Sequence, residues 1–466
     1  MVLAAAALPC VALSMRPACV APSLCNFIEK RLRTAVHPAV PPPLATVLSD
    51  LVKQAPSESV LNAWCHQQAT AAAVSLEKDE SLRRRFVSGE LSLLDVAEAA
   101  ACYSEAAEEM YNTINGHHRD LRRGVSAAGG ADGEDGAASA WQAATADADA
   151  LRSYADAASR IGTRGWVRRG IDWCAETATR FFREGGALTL ARREAAHHSM
   201  ETRGAVPEPE AVAGLLDLVG SALPGPDEPI RLLDVGACGN LFGSHAGIRA
   251  TAIDLCPQAG STEVLQCDFL QLGIGAPASE PRVLPSAEFA AGSLEALPAA
   301  SYDVVAMSLV LSYLPSPAQR GAMVAKARQL LPTPEPPAAL DAALAAHTAA
   351  GAAAEAAPPP EAGRGLLLLV DTFSVDKRKR TWQEQTYLRA WVGSIEQLGF
   401  RFLRHQTLSR SHALAFATAP LAPAELRALA GAQPELVMRR EAECGGEWHD
   451  HELGDGSEED GEGGSE

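Results

Sequence analysis

The sequence predicts an α/β fold: a doubly wound parallel sheet that ends in an antiparallel hairpin and is preceded by a helical domain. Three observations predict it. From about Pro207 onward, short β-rich runs alternate with helical ones. Before that point the pattern is helical and polar, and the last two β-rich runs are joined by a short polar turn. Alternating strands and helices imply parallel strands joined by crossovers, whereas two neighbouring runs joined by a tight turn imply an antiparallel pair.

The elements follow in order. Residues 1–23 read as a disordered leader, because Met1 to Met15 is apolar and Ala-rich but lacks the basic n-region of a secretory signal. Residues 24–204 read as a helical domain, interrupted over 124–140 by a Gly/Ala/Asp stretch that reads as a disordered insertion. The α/β domain is expected over 205–420. Its strands are predicted at Ile230–Val235, Arg249–Leu255, Glu263–Cys267, Tyr302–Val310 and Gly365–Val370, with an Ala/Pro-rich solvated insertion at 332–363. A helix is predicted over Thr381–Leu398, stopped by Gly399, and then the hairpin Phe400–Gln406 and His412–Ala417. Residues 421–466 read as an acidic disordered tail.

Composition limits the function classes. The 466 residues carry a net charge of −18. The stretch from Glu441 onward holds 11 acids and no Lys or Arg, which leaves about −7 on the rest. A mildly acidic body argues against a protein whose main work is coating nucleic acid, since phosphate neutralisation needs clustered Lys and Arg. The 10 cysteines include no C-x-x-C pair, so neither a zinc knuckle nor a compact disulfide framework is indicated, and reduced cytosolic or nuclear thiols fit best. No stretch reaches 18 clean apolar residues, so no membrane-spanning helix is expected.

The chemistry-bearing residues close successive strands. The first strand opens through Gly236 into Ala237-Cys238-Gly239-Asn240, where ligands of doubly wound sheets pass, and a glycine there lets the backbone approach a ligand. The second run places Asp254 18 residues beyond Gly236, positioned to accept hydrogen bonds from ribose hydroxyls. The third ends at Asp268-Phe269, where a carboxylate and the next backbone N–H can read an adenine edge, and the fourth brings Ser308 to its end. An acid closing a strand often only caps the next turn, so each residue alone is weak and the ordered set carries the reading. A dinucleotide would want the further glycines of G-x-G-x-x-G, which Cys238 and Gly239 do not supply. S-adenosylmethionine (SAM) has no phosphate and tolerates this looser turn.

With these residues in place, the sequence resembles the SAMTOR family, whose members include a SAM sensor upstream of mTOR complex 1 and a fungal large-subunit rRNA adenine-N1 methyltransferase. The resemblance rests on Leu232 to Gly236 with Cys238, Asn240 and Phe242, on Cys267-Asp268-Phe269-Leu270, and on Ser308 to Pro317 followed by Gln319-Arg320. In the helical half it rests on Ile171-Asp172-Trp173-Cys174 with Phe182 and Gly185-Gly186, and near the end on Leu398-Gly399-Phe400. It implies a Rossmann-like class I SAM-dependent methyltransferase domain with an N-terminal helical domain. Gly236, Asp254, Asp268, Phe269 and Ser308 are implied as SAM contacts. An Arg just before the Trp-Cys segment is a further implied contact; here Gly170 falls at that position and Arg169 lies one residue early. The resemblance also implies partner complexes of the mTOR pathway, of GATOR and KICSTOR type, and a cytoplasmic location, with rRNA and the nucleus as alternatives.

Two functions follow from different classes: a SAM-dependent methyltransferase, and a SAM sensor that changes its affinity for a partner. No catalytic base is visible, and the Asn/Asp-Pro-Pro-Tyr pattern of amino-directed adenine methyltransferases is absent at the fourth strand. His405 and His412 have nothing in their spacing to separate them from structural histidines. Cys238 reads as a small buried thiol packing the turn, and Lys377-Arg378-Lys379-Arg380 as a solvated loop. Tyr313 either lies over the methyl donor, where it could stack on a target base, or only ends the fourth strand before Pro315.

Overall fold

The computed structural model describes residues 80–88, 96, 109–124, 141–143, 145–162, 164–201, 213, 216–217, 219–258, 260–334, 364–379, 381–421, 424 and 434–443. The leader, the insertion from 125 to 140, most of the 332–363 insertion and the tail beyond 443 lie outside the described residues. The chain divides into two compact units. The first takes in Met1–Asn115, Thr163–Gly165 and His449–Glu466, and its described part contains helix Glu80–Ser88 with Phe86 and Val96 fully buried. The second takes in Gly116–Gly162 and Trp166–Trp448 and contains the sheet.

The sheet has ten strands: β1 Ile230–Val235, β2 Ile248–Asp254, β3 Val264–Gln266, β4 Gly273–Gly275, β5 Arg282–Leu284, β6 Ser293–Pro298, β7 Val304–Ser308, β8 Leu366–Thr372, β9 Phe400–Thr407 and β10 Ser411–Thr418. Their order is β4-β6-β3-β2-β1-β7-β8-β10-β9, with β5 paired to β6 off this path. From β3 to β8 the neighbours β3-β2-β1-β7-β8 run parallel, and β10 is antiparallel to both β8 and β9. This is the doubly wound sheet with a closing hairpin. The seven expected strands are present with ends moved by at most two residues. β4, β5 and β6 are additions on the far side of β3.

The layers depart from the simple alternation. Between β1 and β2 stands only the 3-10 turn Leu241–Ser244. One sheet face is instead covered from the N-terminal side, by the helices α2 Gly165–Arg183 and α3 Gly186–Glu201, while α1 Ala148–Gly162 packs Leu151 and Ala155 on Cys256, beyond the end of β2. The α2 residues Ile171, Cys174, Ala178, Phe181 and Phe182 recur at helical spacing and pack on Leu232, Val304, Ala306, Leu368, Ala413 and Ala415. A sheet whose own crossovers are too short to cover a face must bury it against something else. For that reason residues 166–201 share a compact unit with the sheet. Gly170 lets α2 come close, since a Cβ there would sit 3.1 Å from Val370 Cγ1 of β8.

The opposite face is covered by α4 Pro317–Leu330 and α5 Tyr387–Gln397. Pro317 opens α4 at a position where its missing N–H costs nothing. The expected helix over Thr381–Leu398 is split into a 3-10 turn, Trp382–Glu384, and α5. The reason is a cap from outside the segment: Asp376 Oδ2 accepts the N–H of Tyr387 at 2.8 Å and of Leu388 at 3.1 Å. Gly399, at φ +79, ends α5 in the left-handed conformation. The tail also departs from its expected disorder, because residues 434–443 are placed, end in the short helix α6 Arg439–Glu443, and bury Leu436 and Met438 completely.

Candidate cofactor site at the carboxyl edge of the sheet

Strand register brings four expected residues into a row. Val235 pairs with Met307 on one side and Ile253 on the other, so Gly236, Ser308 and Asp254 each stand one step beyond a shared level. Asp254 in turn pairs with Gln266, two residues before Asp268. Asp268, Asp254, Gly236 and Ser308 therefore line the carboxyl ends of β3, β2, β1 and β7, where doubly wound sheets hold ligands.

The turn after β1 requires glycine at 236. Its φ is +76, and a Cβ would lie 2.8 Å from Val310 Cγ2. Asp254 fastens this turn to β2: its Oδ2 accepts the Cys238 N–H at 3.0 Å and its Oδ1 the Cys256 N–H at 2.9 Å. Each carboxylate oxygen keeps a lone pair for a further donor. Burial pushes the Asp254 carboxyl above the usual carboxylate range, and those two N–H groups oppose the shift. Cys238 sits at φ 47, and burial followed by the neighbouring Asp254 charge holds its thiol well above the ordinary value, so it is no thiolate.

Asp268 accepts the Leu270 N–H on Oδ1 at 2.9 Å and the Trp141 indole N–H on Oδ2 at 3.4 Å. The Phe269 side chain is core, 4% exposed, so only its backbone is available to a ligand. The Ser308 hydroxyl oxygen is buried and has no hydrogen-bond partner among the described residues. A buried hydroxyl left unpaired is costly, so a polar group placed beside Ser308 would be favoured. Leu309 follows at φ 62 and donates its N–H to Val370 O at 2.7 Å, turning the chain into the loop that carries Tyr313.

Arg169 is not part of this row. Its Nη2 donates to Ser409 Oγ at 2.8 Å in the turn between β9 and β10, which lie beyond β7 and β8 from β1. Its neighbour Gly170 packs on Val370, the β8 residue paired with Ser308. His405 and His412 are structural: His412 is 1% exposed, with its ring nitrogens 3.1 Å from His405 Nε2 and 3.1 Å from Asp376 O, and burial pushes it down to about 4. Arg378 and Lys379 are exposed, in agreement with a solvated loop. Among the described residues no cluster of His, Cys, Asp and Glu could hold a metal ion, and no helix is long and apolar enough to cross a membrane.

The sequence reading missed a ring cluster around Tyr313. Tyr154 lies 4.8 Å from it between centroids, His117 stacks on it at 13° with Nε2 3.0 Å from the phenol oxygen, and His118 and Trp141 meet it edge-on. The Tyr154 phenol is held well above its ordinary value, mostly by burial, with Tyr313, Cys238 and Asp254 as its electrostatic neighbours. Burial lowers both histidines, so both are neutral near pH 7. These four partners come from 116–162, where no motif signalled them.

The comparisons with known proteins come to the same place. A family model described as 25S rRNA (adenine(2142)-N(1))-methyltransferase, Bmt2, matches residues 274–346, which include the Ser308 to Arg320 string. A zebrafish (Danio rerio) protein named S-adenosylmethionine sensor upstream of mTORC1 is 26% identical over 320 residues, 66% of this chain and 70% of the relative. Its namesake from Xenopus laevis is 26% identical over 374 residues, 77% of this chain and 78% of the relative. A crystal structure of a SAM-dependent methyltransferase from Aquifex aeolicus overlays with a TM-score of 0.23 at 15% identity, covering 46% of this chain and 94% of that one. That overlay adds nothing to the topology described above. The likeness to the SAMTOR family read from the motifs thus extends along most of the chain.

Proposed function

We propose that this chain, similar over most of its length to proteins named as SAM sensors, binds SAM along the row Asp268, Asp254, Gly236 and Ser308 and works as a SAM-responsive regulator. The observation that carries the reading is the row itself, with its one unsatisfied buried hydroxyl at Ser308. The residues suit the ligand. The remaining lone pairs of Asp254 can accept both ribose hydroxyls, Asp268 and the Phe269 N–H can meet the adenine edge, and the bare Gly236 backbone admits the nucleoside. Ser308 can donate to the methionine end. When bound, SAM supplies a sulfonium carrying a transferable methyl group. For a regulator, what matters is that occupancy stabilises one of two arrangements and so alters affinity for a partner. By likeness that partner is a protein complex of the mTOR pathway, of GATOR or KICSTOR type, met in the cytoplasm.

A second reading, a SAM-dependent methyltransferase acting on an adenine of large-subunit rRNA, in the nucleus, is favoured by the family match over 274–346. The ring cluster weighs against it. A target base would stack on Tyr313, but His117 stacks at that ring and Tyr154, His118 and Trp141 enclose it further.

Calorimetric titration with SAM tests the shared claim. Wild type binds, Ser308→Ala binds more weakly, and Asp254→Ala loses binding; a wild type that gives no heat with SAM overturns the reading. Incubation with labelled SAM and large-subunit rRNA separates the two functions, since label transferred to RNA and abolished in Asp254→Ala would establish the enzyme.

A further inference from the structure

The segment 434–443 crosses the face formed by α4 and α5 and is held there by polar contacts that its length alone does not require. Leu436 donates its N–H to Pro317 O at 3.1 Å, and Arg439 donates to Val375 O at 2.9 Å. Trp391 donates its indole N–H to Val437 O at 2.8 Å. Leu436 and Met438 are fully buried, and any side chain at Gly321 would collide with Pro434 O. The contacts converge on Arg320, which is 0% exposed. Its Nε donates to Leu436 O at 2.7 Å, its Nη2 pairs with Glu441, and its Nη1 donates to Leu314 O at 2.7 Å.

Leu314 belongs to the loop that runs from Ser308 to Ser316 and carries Tyr313. The same loop is gripped at Ser312, whose N–H donates to Asp371 Oδ2 at 2.9 Å and whose carbonyl accepts from Arg122 Nη2. One buried guanidinium therefore ties the C-terminal segment to the loop beside the cofactor row. Without Glu441, Arg320 and Arg122 would share Asp371 as the remaining acid among the groups described here, and a buried cation deprived of its partner is strongly unfavourable. The loop would be expected to rearrange so that Arg320 reaches water or another acceptor.

We propose that the segment 434–443 is a strap that positions the 309–316 loop through Arg320, so that strap docking and occupation of the cofactor site stabilise each other. Arg320 and Glu441 are positioning residues in this scheme and touch no ligand. The inference rests on the SAM reading of the site for its ligand half only. Coupling between two sites is reciprocal, so a strap that aids binding must itself be held more firmly when the site is filled.

The test is hydrogen exchange of the full chain, read at 309–316 and at 434–443 with and without SAM, beside calorimetry, for wild type, Leu436→Ser and the milder Glu441→Gln. Both variants are expected to exchange faster at 309–316 without ligand while β1 and β2 stay protected, and to bind SAM on the order of ten-fold more weakly. In wild type, SAM is expected to slow exchange over 434–443. A released strap that leaves exchange at 309–316 unchanged overturns the proposal, as does bound SAM that leaves 434–443 unprotected. If wild type binds no SAM, the cofactor reading and the ligand half fall together. The ligand-free exchange then decides the link between strap and loop separately.

Discussion

The two faces of the sheet are sealed by different physics. The face under α2 is closed mainly by shape: alanines on β7 and β10 receive Ile171, Cys174, Ala178 and Phe182, Gly170 brings the helix to within van der Waals contact of Val370, and the one buried guanidinium among these described contacts, Arg364, pairs with Glu194 of α3. The face under α4 and α5 is closed by shape and by buried guanidinium groups. Arg328 donates to Gly399 O at 3.0 Å, to Thr333 Oγ1 at 2.8 Å and to Ala419 O at 3.3 Å, and Arg320 holds the strap. Apolar packing is non-directional and accepts small shifts, whereas a guanidinium fork fixes which carbonyls stand where. The directional face is also the one that adjoins the loop beside the candidate site.

The largest effect is therefore expected on that second face. Arg328→Ala removes charged donors from three buried or half-buried acceptors at once, as well as a cation 5.7 Å above the Phe400 ring. A loss on the order of 3–5 kcal/mol in urea unfolding is the expected outcome. A loss within that of an ordinary surface substitution would mean that the two faces do not differ as described.

The α2 face also buries a carboxyl group, and it sharpens the contrast. Asp234 lies on β1, 2% exposed, with Cys174 of α2 among its electrostatic neighbours, and burial followed by the Asp254 charge pushes its carboxyl up to about 8. A carboxyl whose folded value is raised favours folding most below its ordinary range near 4, and that advantage is lost as pH rises towards 8. The raised Asp254 and Asp371 act in the same direction. The melting temperature should fall between pH 5 and pH 8, and Asp234→Asn should flatten the slope; a variant as steep as wild type would remove Asp234 from the account.

What the sequence disclosed follows the same division. Strand β1 was read to the residue and the row Gly236, Asp254, Asp268 and Ser308 was found, because each lies where an apolar run stops, a local signal. Strands β4 to β6 were missed because Gly273–Gly275 carries two glycines and Ser293–Pro298 ends in proline, which both speak for turns when read locally. The split of α5 depends on Asp376, 11 residues away from the helix start it caps, and the strap depends on Arg320, more than a hundred residues upstream. The ring partners of Tyr313 are separated from it in the same manner, as with His117. Interactions between residues far apart in the chain leave no period or spacing to read.

The smallest expected effect tests whether the α2 face is as free of directional bonds as its core suggests. At its rim the Trp173 indole N–H donates to Gln406 Oε1 at 2.8 Å, while Arg404 stands 4.8 Å over the same ring and donates to Thr177 Oγ1 at 2.9 Å. Trp173→Phe deletes the donor but keeps an aromatic face for the guanidinium. If shape closes this face, the loss should amount to the one hydrogen bond, about 1 kcal/mol by denaturant titration. A loss of several times that would show that the bond to β9 sets the register of α2 on the sheet, and that both faces are pinned by directional contacts after all.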